Sequence, residues 1–166
     1  MTDASDQAWK IHAAQVDWTG KVDAKASFAF GIESASLGVA VALSANGRLF
    51  AGLSSSAQQV AYWMAISALL VGVACSLLAV IPRLRGRTET MREAASNYIY
   101  FGHLRHWDPA DLAETLGKGG LLDVLARQCV NMAKIAWRKH RLVQASMISG
   151  SIGIASLVAC GVLVTN

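Results

Sequence analysis

Asp23 and Lys25 stand two residues apart at the entrance to an apolar run, and Glu33 lies inside it (VDAKASFAFGIES, 22–34). If that run spans a membrane, a charge at Glu33 costs about 2.5–3.5 kcal/mol on insertion scales. Glu33 must then meet a partner helix, a water-filled space or a proton. Lys25 is too far away to pair within one helix, because eight residues at ~1.5 Å each make about 12 Å along the axis. Hydroxyl groups of other helices are better partners. Two roles fit: a polar position in a gate or pore, or an interhelical hydrogen bond that orients helices. Asp23 is placed to accept from an Arg or Lys of the 134–141 segment. Lys25 is placed to pair with a carboxylate or a lipid phosphate.

A second set of residues is cationic. Arg127, Lys134, Arg138 and Arg141 are spaced by seven, four and three, which puts them on one helical face. Such a stripe suits phosphate, but for the residues nearest the apolar segment towards which it runs, contact with anionic headgroups is the better reading. His103 and His106, with Asp108, have ligand types for a metal, but two histidines three apart make a weak signal and are better explained as polar face residues beside Trp107. The chain contains no phosphate-binding glycine loop, no GxSxG and no HExxH. Nothing in the spacing gathers Ser, His and Asp together. The expectation is a non-enzymatic protein without a cofactor.

These residues are positioned by apolar runs. The 166 residues are 54% apolar and only 16% charged, with mean hydropathy +0.38, against about 25% charged in soluble domains. Three runs, 26–45, 60–82 (closed by Pro82) and 145–164, each match a hydrocarbon core of about 30 Å. The first starts too far in, with the wrong flanks, for a cleaved signal peptide. Of 15 Lys and Arg, 11 fall between Arg83 and Arg141, and Lys10, Lys21 and Lys25 precede the first run. The positive-inside rule then makes residues 1–25 and 83–144 cytoplasmic and the 46–59 loop and the C-terminus external. The fold class is an all-α integral membrane protein, one membrane domain over 1–166, whose first and third helices extend into the cytoplasm. Cys75 and Cys160 fall in spans and Cys129 in the cytoplasmic segment, so no disulfide framework is expected.

The cytoplasmic parts divide by local signals. A helix precedes the first span, with Gly20 the place for a break. A helix from Thr88, as cap, to Trp107 would bear Met91, Tyr98 and Phe101 on one face. Asp108 is an N-cap with Pro109 at N1 and Asp111 in the first turn. Gly117 and the pair Gly119–Gly120 end that helix. From Leu121 one helix should continue into the third span. Small residues recur four apart in all three spans, as at Gly31/Ala35, Gly72/Ser76 and Ser149/Gly153. They suit either internal packing or an oligomer seam.

Three strings in order, DAKAS (23–27), YFGHLRHWDPADLAETL (100–116) and RQCVNMAKIAWRKH (127–140), resemble the transmembrane type of Pycsar effector. The resemblance covers about residues 8–164. It implies an inner-membrane effector of bacterial cyclic-pyrimidine anti-phage defence and abortive infection. A functionally paired nucleotide cyclase would make cyclic UMP or cyclic CMP, and the effector would respond by impairing the membrane as a homo-oligomer. No separate nucleotide-binding domain is present, so the cytoplasmic helices would form the site. Arg83, Arg105, Arg127, Lys134 and Arg138 are its candidate contacts, and Asp23, Lys25 and Glu33 the candidate collar and gate. The implied partners are the lipid bilayer and further copies, not nucleic acid. Two other readings stand beside this one: a membrane interaction protein such as a plasmid-transfer accessory, and a ligand sensor without effector action.

Overall fold

A computed structural model describes residues 3–82, 84 and 86–165. Every regular element among the described residues is helical: α1 (Asp3–Leu43), α2 (Ser56–Val80), α3 (Arg87–Glu93), α4 (Phe101–Leu104), α5 (Pro109–Lys118) and α6 (Leu121–Thr165). A single 3-10 turn, Ala94–Ser96, continues α3. Helices α1, α2 and α6 are long and apolar enough to cross a membrane; α6 contains the whole run 145–164, while α1 ends at Leu43 and α2 at Val80, each two residues short of its run.

The chain divides into two compact units. One comprises Met1–Gly20 and Pro82–Trp137, the other Lys21–Ile81 and Arg138–Asn166. In the second unit, Val22, Ala26, Ala79 and Val143 form one buried cluster. A second cluster, Phe50, Ala61 and Cys160, packs with Leu53 and Tyr62 beside the 44–55 connection. That end is tied by side chains that serve several backbones. Ser55 caps α2 and Gln58 returns the bond, a full capping box. The Gln58 amide also donates to Leu163 O at 2.8 Å, and Ser44 and Tyr62 share a hydroxyl bond of 2.8 Å.

Four local expectations are corrected. Helix α1 runs through Gly20 without a break. One glycine costs about 1 kcal/mol in a helix interior, too little to stop a helix of 41 residues with no proline. The helix anticipated over 88–107 is instead three short pieces. Asn97 turns extended at φ −142°, ψ 125°. The Trp107 indole N–H donates to Ala94 O (2.9 Å) and Asn97 O (3.2 Å), taking carbonyls that a continued helix would need. Tyr98 is buried edge-on against the Trp107 ring. Burying two aromatic rings thus overrides the local helical pattern. Thr88 is not the cap of α3, whose N-cap is Gly86. The N-terminus of α5 forms as expected, with Asp108 accepting from the Ala110 N–H at 2.8 Å and Pro109 at N1. Gly117 stays inside α5. The exit is made by Gly119 and Gly120, both at positive φ (88° and 86°), where only glycine is unstrained. Helix α6 then continues unbroken, as the sequence indicates.

Candidate functional site

In the second unit the three spanning helices meet around one carboxyl group. Glu33 of α1 is 2% exposed. Its Oε1 accepts from the Ser146 hydroxyl of α6 at 2.7 Å, and its Oε2 from the Ser76 hydroxyl of α2 at 3.2 Å. The carboxyl fits because two glycines leave it space. A Cβ on Gly72 would stand 2.6 Å from Oε1, and one on Gly150 would stand 2.8 Å from it. The order is Gly72–Ser76 on α2 but Ser146–Gly150 on α6. The reversal places serine level with serine and glycine level with glycine, because α2 runs against the other two helices. Burying a carboxyl is costly unless its oxygens are satisfied; here each helix supplies part of the satisfaction.

Toward the start of the first span, Asp23 meets Lys139 of α6. The ammonium lies 2.6 Å from Oδ1 and 2.7 Å from Oδ2, with side-chain exposures of 20% for Lys139 and 36% for Asp23. Lys25 is exposed, and no ion pair holds it among the described residues. The two charges of the DAK triplet therefore do different work: Asp23 binds α1 to α6, and Lys25 is left for another group.

The first unit holds its own polar cluster. Thr90, 1% exposed, lies 3.3 Å from His106 Nε2. Arg105 is exposed and reaches both His106 (3.2 Å) and Thr90 (3.5 Å). His103 is buried, 3.5 Å from a Glu93 oxygen and edge-on to Tyr100. Arg127 donates to Ser96 O at 2.9 Å, bracing the turn after α3. Lys134 in this unit and Arg138 in the other are exposed on α6. Arg83 lies outside the described residues. The cationic candidates thus serve different segments: Arg105 turns toward α3, while Arg127 holds the 3-10 turn. Cys129 donates weakly to Ala8 O at 3.6 Å, and burial pushes its thiol above the ordinary value. Among the described residues no group of three His, Cys, Asp or Glu could hold a metal.

Lys139 falls in the 134–141 segment from which the sequence draws Asp23's cationic partner, whereas the partners of Glu33 are foreseen only as hydroxyl groups of other helices, and Ser76, Ser146 and Gly150 are not named for that contact. The usable signal was the four-residue spacing of one serine and one glycine, opposite in order on two spans that run in opposite directions.

Three spanning helices closed on one shared carboxyl, with a separate helical unit rich in arginine, define a small multi-pass membrane protein. The Pycsar effector protein domain matches residues 7–166, almost the entire chain. The chain belongs to that family, the effectors of Pycsar anti-phage defence. No curated protein and no solved structure matches it.

Proposed function

We propose that this chain is a non-enzymatic inner-membrane effector that responds to cyclic UMP or cyclic CMP and impairs membrane integrity as an oligomer. A functionally paired cyclase supplies the nucleotide. The observation that carries the reading is the closure of all three spans on Glu33. A bundle held by two hydroxyl bonds to one buried carboxyl is an element with a closed arrangement and an obvious way to lose it. The N-terminus and the 83–144 segment face the cytoplasm, on the charge asymmetry of the sequence. Asp23 and Lys25 form the collar through which a cytoplasmic signal reaches the spans, and Glu33 is the gate. In the first unit, Arg105, Arg127 and Lys134 are the candidate cations for the ligand's phosphate. Binding shifts the closed state only by its differential affinity, so the open form must be favoured by a few kcal/mol.

Oligomerisation is supported by what the chain leaves uncovered. Gly31, Ala35, Gly38 and Ala42 form an exposed stripe of small residues along α1, a surface that lets helix backbones approach closely. The test is dye entry and membrane potential in cells expressing the chain, with cyclic UMP, cyclic CMP or cyclic AMP supplied by the matching cyclase. Permeability rising with a cyclic pyrimidine alone is the expected outcome. Intact membranes under all three would reject the effector reading.

A further inference from the structure

A groove of about 460 Å³ runs between α1 and α6 in the second unit. Its α1 wall is Ala24, Lys25, Phe28, Ala29, Ile32 and Glu33, and its α6 wall is Met147, Gly150, Ser151 and Ile154. On both walls the lining recurs every three to four residues, so the groove follows both helix axes. Glu33 packs on Gly150, which makes Ile154 level with about residue 37. From Lys25 to that level is about 18 Å at ~1.5 Å per residue, close to the ~15 Å depth of one leaflet's hydrocarbon.

We infer that this groove is a binding site for an anionic phospholipid, with one acyl chain between α1 and α6 and the phosphate on Lys25. Three observations select this occupant. The walls are apolar along their length, except where the back of Glu33 and the Ser151 hydroxyl touch them. The hydroxyl needs nothing from the occupant, because it donates to Met147 O at 2.8 Å. Glu33 is satisfied by Ser76 and Ser146, so an acyl chain can cover it without stranding a polar atom. The single cation lining the groove sits where the apolar run begins, exposed, with no ion pair among the described residues. A lysine at that level extends to the headgroup region. Phe28, 72% exposed, supplies the outer lip. A second copy fits less well, since a helix is about 10 Å across and would bring a side chain, not a slender chain, into a slot ending at a lone positive charge. The inference requires only that the second unit lies in lipid. It does not depend on nucleotide sensing.

The test is native mass spectrometry of the full chain in mild detergent, titrated with dioleoyl phosphatidylglycerol or dioleoyl phosphatidylcholine. One tightly held phosphatidylglycerol is expected, with a preference of about fivefold, the ratio that about 1 kcal/mol per lysine at an anionic surface gives. Lys25→Gln should erase the preference while leaving phosphatidylcholine binding unchanged. Ile154→Trp should block both lipids, and Val41→Trp, on an exposed position outside the groove, should change neither. Equal retention of the two lipids, an unchanged preference in Lys25→Gln, or full occupancy in Ile154→Trp would each overturn the site. Helical content measured by circular dichroism on every variant separates loss of the site from loss of the fold.

Discussion

Removing either hydroxyl from the Glu33 seat should loosen the span bundle, and the two removals should not be equal. Ser146 lies 2.7 Å from Oε1. Ser76 lies 3.2 Å from Oε2 and 3.0 Å from Val73 O in its own helix. A hydroxyl has one proton, so the Ser76 bond to Glu33 is shared and the Ser146 bond is the stronger. Interhelical hydrogen bonds in membranes are worth about 0.6 kcal/mol on average and about 1.7 at most. Ser146→Ala should therefore cost about 1–1.7 kcal/mol and Ser76→Ala about 0.5 kcal/mol. The double variant strips both donors from a buried group, so it should cost more than the sum, with a coupling of at least ~0.5 kcal/mol. The assay is reversible unfolding of the purified chain in mixed detergent and SDS micelles, read by helical circular dichroism. In cells, Ser146→Ala should also raise dye entry in the absence of any cyclic nucleotide. Equal costs for the two serines, or an additive double variant, would refute the shared-carboxyl account.

Other outcomes follow from neighbouring geometry. Gly72→Ala or Gly150→Ala should displace the Glu33 carboxyl, since the new Cβ stands 2.6 or 2.8 Å from Oε1, and should destabilise the bundle by about 1–3 kcal/mol; Gly161→Ala, whose Cβ would meet only Leu49 at an ordinary 3.8 Å, should not, as the same unfolding assay would show. Breaking the Asp23–Lys139 pair by Asp23→Ala or Lys139→Ala should cost at most about 1 kcal/mol, because the pair is partly solvated. Either change should nevertheless abolish toxicity while leaving membrane insertion intact, with Asp23→Lys plus Lys139→Asp restoring part of it; full toxicity in both single variants contradicts a collar role. Cys129 should alkylate more slowly at pH 8 than an ordinary thiol, because burial raises its pKa and lowers the thiolate fraction. Maleimide rates against pH in a Cys75→Ala, Cys160→Ala background check this, and an ordinary or faster rate contradicts it.

Much of the fold was legible because it depends on long-range composition. Spans of about 20 apolar residues need no partner to be recognised, and Asp108–Pro109 marks a helix start by local bonds alone. What failed was local pattern against tertiary burial. The 88–107 segment carries helical periodicity, yet Tyr98 and Trp107 gain more by packing on each other, with the indole N–H on two carbonyls. Gly20 failed in the other direction, since a breaker signal is worth about 1 kcal/mol and a long helix absorbs it. For the site, Glu33 and Asp23 stood out because a charge in or beside an apolar run is rare. Ser76 is marked only as a small residue four from Gly72, and Ser146 is not marked at all, because serine is common in spans and its role depends on which face a second helix presents. Their common service to Glu33 becomes visible only when α2 is laid antiparallel to α6.

We propose that this chain alone converts a cyclic pyrimidine signal into a membrane lesion. It is tested most directly by reconstituting the purified protein in liposomes of phosphatidylethanolamine and phosphatidylglycerol loaded with a self-quenched dye. The account predicts dye release on adding cyclic UMP or cyclic CMP, little release with cyclic AMP, and release without nucleotide from Ser146→Ala. Liposomes that stay sealed with every nucleotide, or that leak alike with all three, would contradict it.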